Sequence, residues 1–112
     1  MPKPNLRAML GQVQKIQEQL AKAQEELVNI EVEGSAGGGM VTVRANARRE
    51  ILQIKIDPEV VDPNDIDMLE DLILAAVNQA MEKAQQAADE HLQKVAGGFL
   101  PNLPGGFKFP EL

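Results

Sequence analysis

Few side chains in this sequence are equipped for bond-making chemistry. His91 is the one histidine and there is no cysteine, so neither a thiolate nor a paired-imidazole metal site can be assembled. His91 lies beside Asp89 and Glu90 in a polar helical stretch, which predicts a solvated surface histidine. Asp57, Glu59, Asp62, Asp65 and Asp67 offer oxygen ligands of the kind hard cations take. Their spacing lacks the calcium-loop pattern, however, and Pro58 and Pro63 interrupt it. Helix capping and complementation of a helix dipole account for them more simply. Gly37-Gly38-Gly39 is followed by a strand pattern, not by Lys-Ser/Thr and a helix, so it is a hairpin turn rather than a phosphate loop. Ser35 has no base in view. No catalytic residue, metal or cofactor is expected, and the chain is not expected to be an enzyme.

Positive charge is the remaining chemistry. The net charge is -6, yet all 17 acidic residues fall within 18–33 and 50–112. Residues 1–17 carry Lys3, Arg7 and Lys15, and residues 34–49 carry Arg44, Arg48 and Arg49, with no acid among them. Lys22 lies four residues from both Glu18 and Glu26, and Lys15 has Glu18 on the same face, the spacing of solvated helix pairs. Lys3 and Arg7 have no acid within a turn and sit near a helix start, where positive charge is disfavoured by about 0.3–1 kcal/mol. A charge placed against its local field points to an external anion. Pairing two copies would double each patch and align them on one duplex. Trp and Tyr are absent and all three Phe fall in the last stretch, so base stacking on single strands is disfavoured.

The elements that position these cations follow from periodicity. Leu6, Met9, Val13, Ile16, Leu20, Ala23 and Leu27 step by three and four, a heptad seam that predicts a helix over 5–27, roughly 35 Å long. That seam needs a partner helix, from this chain or from another copy. At Val28 the period changes to two: Val28, Ile30 and Val32 predict a strand, followed by a turn at Gly34–Gly39. Val41, Val43 and Ala45 share one face of a second strand, with Thr42 and Arg44 on the other. After a turn at 46–50, Leu52, Ile54 and Ile56 share one face of a third, with Lys55 opposite. Asp62-Pro63 opens a second helix or a short turn leading into it. Its apolar face starts at Leu69 and becomes alanine-rich, and Gly97-Gly98 is expected to end it.

The fold class is therefore α+β: long helix, three-stranded antiparallel meander, long helix. Residues 1–96 form one domain, and 97–112 form a Pro/Gly-rich tail with apolar beads. A core built from Leu, Ile, Val, Met and Ala in 112 residues buries limited area, which favours self-association. No apolar run is long enough to span a bilayer and no signal peptide is evident, so a cytoplasmic location is expected.

Taken together, several segments resemble the YbaB/EbfC nucleoid-associated proteins. They are Gly34-Ser35-Ala36-Gly37-Gly38-Gly39-Met40-Val41, Ile56-Asp57-Pro58, Met68 to Ile73 with Ala75-Ala76-Val77-Asn78, and Leu103-Pro104-Gly105-Gly106-Phe107-Lys108. The resemblance implies an intertwined homodimer with projecting helices, its sheets joined through apolar strands; Val41, Val43, Leu52, Ile54 and Ile56 are the corresponding interface residues. It implies binding of double-stranded DNA, with Arg7 and Lys15 on the first helix and Lys83 and Lys94 on the last at the contacting positions. It also implies a place in the nucleoid, in its organisation or in gene regulation. The second turn has Asn46-Ala47 where the family often has Asn-Gly. Two alternatives remain: a coiled-coil holdase resembling prefoldin, suited to the seam and the apolar beads, and an assembly adaptor whose tail docks on a protein partner.

Overall fold

The computed structural model describes residues 5–99. Helix α1 spans Leu6–Glu26 and a 3-10 turn follows at Leu27–Asn29. Strands β1 (Glu31–Ala36), β2 (Val41–Asn46) and β3 (Ile51–Ile56) come next. A second 3-10 turn at Pro58–Val60 precedes helix α2, Ile66–Phe99. The strands form one antiparallel sheet in the order β1-β2-β3. Among the described residues, no helix is long and apolar enough to cross a membrane.

Local chemistry sets the element ends. Asn5 caps α1, its Oδ1 accepting from the Ala8 amide at 3.4 Å. The strand expected from Val28 begins instead at Glu31, because the chain leaves α1 through the 3-10 turn. Burial of Leu27 with Ala47 and Ala88 holds that turn in place. Gly34 to Ala36 belong to β1, not to the turn, which comprises Gly37 to Met40. Gly37, Gly38 and Gly39 there have φ of 64°, 67° and 92°, a region that glycine enters without steric cost. Pro63 lies in a turn ahead of α2, where Asp62 Oδ1 accepts from the Asn64 amide at 2.9 Å. Asp65 is the residue that reaches into the helix start, to the Met68 amide at 3.3 Å. Gly97-Gly98 does not stop α2, which continues to Phe99. Glycine lowers helix stability by about 1 kcal/mol per residue but terminates a helix only where the chain turns left-handed.

The core is thin and made of small residues. Val41, Val43, Ala45, Ala76 and Ala80 are fully buried, with Val60 beside them. Leu69, Leu72, Ile73, Val77 and Met81 of α2 pack around this centre. Alanine on α2 lets the helix close directly onto β1, where Gly34 meets the backbone of Ala76 and Ala80. Side chains of α2 also occupy the outer edge of β1. The Ser35 amide donates to Gln79 Oε1 at 2.7 Å, and Lys83 Nζ donates to the Glu33 carbonyl at 2.9 Å. One sheet edge is thereby closed. At the other edge, Ile51, Leu52 and Ile54 of β3 keep 46%, 45% and 44% of their surface exposed.

Candidate nucleic-acid interface

Helix geometry sorts α1 into two faces. At about 100° per residue, Arg7, Lys15 and Lys22 fall within a stripe about 80° wide, opposite the seam of Met9, Val13, Ile16 and Leu20. Only Ala23 of α1 is buried, so the first turns of the helix stand clear of the sheet and carry Arg7 and Lys15 into solvent. Lys3 lies outside the described residues. Among the described residues Arg44–Glu31 is an ion pair, and His91 lies against Glu26 at ion-pair distance. Arg7, Lys15, Lys22, Arg48, Arg49, Lys55 and Lys94 therefore make no ion pair there.

His91 is not the solvated residue that its neighbours in sequence imply. Its side chain is 23% exposed, and Nε2 lies 3.1 Å from Glu26 Oε2, across from α2 to α1. The contact has ion-pair distance without aligned hydrogen-bond geometry. It engages the Glu26 carboxylate that the sequence spacing assigns to Lys22.

The arginine pair is placed by Asn46, which is 1% exposed. Its Oδ1 accepts from the amides of Arg48 at 3.0 Å and Glu50 at 3.1 Å, and its Nδ2 donates to Glu50 Oε1 at 2.9 Å. Arg48 and Arg49 are thereby presented outward beside the end of α1, at the rim of an open hollow that also holds Glu25 and Gln85. Arg49 adopts φ 64°, the left-handed region, which the turn requires and which arginine occupies at a cost. Arg49→Gly is expected to raise stability by about 0.5–1 kcal/mol while weakening DNA binding; denaturant melts and a DNA titration on the same sample separate the two effects.

The sheet contributes less positive charge than its sequence implies. Arg44 is held by Glu31 at 3.2 Å. Lys55 pairs across from Thr42 and shares its face with Arg44, but Glu33, opposite Arg44 in register, balances it. Lys83 is engaged with the Glu33 carbonyl at the edge of β1. Lys94 is exposed on the last turns of α2. The nine described cations do not converge within one chain: Arg7, Lys15 and Lys22 line α1, Arg48 and Arg49 mark the second turn, and the others are dispersed.

The apolar strand residues also divide. Val41 and Val43 have no exposed surface, because α2 covers them within the same chain. Their side chains pack within the core of the chain rather than standing free. Leu52 and Ile54 remain open and Ile56 is half-buried. Ile51, assigned to no face from the sequence, joins them. A β-bulge between Arg44 and Ala45 shifts the register so that Ile51 lies opposite Ala45. Strict alternation conceals such a shift.

Comparison with known proteins fixes the lineage. Residues 1–99 match the model of the YbaB/EbfC DNA-binding family. The chain belongs to the YbaB/EbfC DNA-binding family. A nucleoid-associated protein of Alkaliphilus metalliredigens is 49% identical over 104 residues, covering 93% of this chain and 90% of that protein. One from Chloroflexus aggregans is 52% identical over 94 residues, covering 84% and 94%. The fold of this chain is similar to that in the crystal structure of an uncharacterized protein from Helicobacter pylori. It superposes with a TM-score of 0.64 at 19% identity, covering 88% of this chain and 99% of that one. The α-β-β-β-α order expected from the sequence is the one the structure shows, and the YbaB/EbfC match is to a DNA-binding family rather than to an enzyme family.

Proposed function

We propose that this YbaB/EbfC protein is a nucleoid-associated protein that binds double-stranded DNA as a homodimer, chiefly through phosphate contacts, and serves nucleoid organisation or gene regulation. The observation that carries this reading is the exposed Arg7–Lys15 stripe on α1, unpaired among the described residues. Lys and Arg at that spacing neutralise phosphates and release counterions without reading base edges. The acidic residues from Asp57 to Asp71 lie around the start of α2, at the sheet, and leave the free turns of α1 unopposed.

The uncovered edge supports the dimeric part of this reading. Ile51, Leu52 and Ile54 lie on a strand whose outer backbone groups no other described element pairs with. A two-fold partner would cover those side chains and bring a second stripe onto the same duplex. Ile54→Lys is expected to convert the dimer to monomer and to lower affinity for a duplex at least tenfold. Light scattering and fluorescence anisotropy on one preparation check both. A duplex should bind better than either of its single strands; equal affinity for the single strands would count against the reading. The holdase alternative rests on the exposed apolar seam of α1, and client protection in an aggregation assay without any DNA shift would favour it.

A further inference from the structure

The turn between β2 and β3 sets two arginines beside an acid without pairing them. Arg48 and Arg49 are exposed, and Glu50 follows them directly. Among the described residues neither arginine makes an ion pair, although Glu25 also lines the hollow at their side.

Asn46 accounts for this arrangement, because both ends of its buried side-chain amide are in use. Nδ2 donates to Glu50 Oε1 and so engages the carboxylate nearest in sequence to the arginine pair. Oδ1 accepts from the Arg48 and Glu50 amides and fixes the backbone between them. The Asn46 carbonyl accepts from the Arg49 amide at 2.9 Å, and the Asn46 amide donates to the Glu50 carbonyl at 3.0 Å. Residues 46–50 thus close into a hairpin turn in which Arg49 is left-handed. That position ordinarily falls to glycine. A large side chain held there against its backbone preference points to a use for that side chain.

The turn is also anchored to the end of α1. The Ala47 amide donates to the carbonyls of Leu27 at 3.2 Å and Ile30 at 2.8 Å. Ala21, Gln24 and Glu25 line one hollow with Arg48 and Arg49. The arginine pair therefore stands beside the last turns of α1, where Lys22 ends a cationic stripe about 22 Å long from Arg7.

We propose that Asn46 is a positioning residue for DNA binding: by taking up the Glu50 carboxylate, it keeps Arg48 and Arg49 free to hold a backbone phosphate. The proposal rests on the DNA-binding reading and adds to it a second contact and the residue that maintains it. A carboxylate released beside an arginine competes with phosphate for the same guanidinium N–H groups. Hydrogen bonding to Asn46 occupies that competitor.

A double-mutant cycle on the full chain tests the proposal, read by fluorescence anisotropy with a duplex at several salt concentrations. N46D keeps an oxygen for the Arg48 and Glu50 amides but cannot donate to Glu50. Alone it is expected to weaken binding about tenfold, whereas E50Q alone changes affinity by less than about threefold. In the N46D background E50Q should raise affinity about tenfold, because its amide donates back to the N46D carboxylate and leaves no free acid beside the arginines. E50Q alters the charge equally in both backgrounds, so an equal factor in the two would overturn the proposal. If circular dichroism shows that N46D alone does not fold, the double variant decides, since it keeps the hydrogen bonds of the turn with donor and acceptor exchanged. Binding more than about threefold weaker than that of the unmodified protein would then overturn the proposal. R48Q/R49Q tests the contact itself and should reduce the steepness of the salt dependence by about 2, one phosphate per copy of a dimer. A steep slope left unchanged by R48Q/R49Q would overturn this proposal and leave phosphate binding through α1 standing. A flat slope in the unmodified protein would overturn both.

Discussion

Gly34→Ala is expected to destabilise the fold more than any other single-methyl addition, by about 3 kcal/mol. In a domain of this size that lowers the melting temperature by on the order of 10 °C or more. Gly34 is buried in β1, and a methyl there would meet the carbonyl oxygen of Ala76 and the amide nitrogen of Ala80. Both are backbone atoms of α2, so no rotamer change relieves the overlap. Either α2 lifts away and uncovers Ala76 and Ala80, or β1 shifts and breaks its pairing at Val43. A second change, Ala80→Gly, should fail to restore stability, because the obstacle is main chain and not side chain. Gly11→Ala is the contrasting control. Nothing lies within 4 Å of a methyl at Gly11 in α1, and the substitution should add about 0.5–1 kcal/mol through helix propensity. Thermal melts of the three variants distinguish close helix-on-strand packing from a general intolerance of larger residues.

Arg7→Glu combined with Lys15→Glu is expected to abolish measurable duplex binding at moderate salt while leaving the dimer intact. Phosphate contacts make log affinity fall with log salt at a slope of about -0.9 per neutralised phosphate. If both copies place Arg7 and Lys15 on phosphates, the slope is about -4, and raising salt from about 50 to 200 mM costs roughly two to three orders of magnitude. Replacing only Arg7 by Gln in both copies should reduce that slope by about 2. Anisotropy titrations at several salt concentrations yield the slope, and light scattering monitors the dimer. A slope near zero in the unmodified protein would refute phosphate-based binding, whatever the affinity. A slope unchanged by the variants would transfer the contact to Arg48, Arg49 or Lys94.

Much of the architecture was legible because periodicity is a local property. The steps of three and four from Leu6 to Leu27 predict α1, and alternation at Val41, Val43 and Ala45 predicts the buried face of β2. Glycine was harder to assign, since Gly34 and Gly37 to Gly39 are adjacent in sequence but do different work. Gly34 makes room for a helix backbone, whereas the other three allow a left-handed turn. Only the position of α2 separates these uses. His91 was misread for a similar reason: its neighbours in sequence are solvated acids, while its neighbour in space is Glu26. Ile51 was missed because a bulge alters the register without any mark in the pattern. Among the cations, the spacing of Arg7 and Lys15 was visible at once. The loss of Arg44 to Glu31 and of Lys83 to the Glu33 carbonyl depends on contacts across strands and over 50 residues of chain.

By itself the sequence determined the element order, the cationic stripe on the first helix, the want of catalytic groups and the resemblance to a DNA-binding family. These depend on residue types and short-range spacing. Tertiary structure decided which apolar faces are already occupied. A helix about 10 Å across spans roughly two strands at their spacing of about 4.8 Å. Thus α2 covers one face of β1 and β2, packing over Val41 and Val43, and leaves the apolar side chains of β3 open. Along α1, Ala23 and Leu27 are buried, whereas Leu6, Met9, Leu10 and Val13 stay exposed. How far one element reaches across another depends on their relative placement, and that is fixed only when the chain has packed.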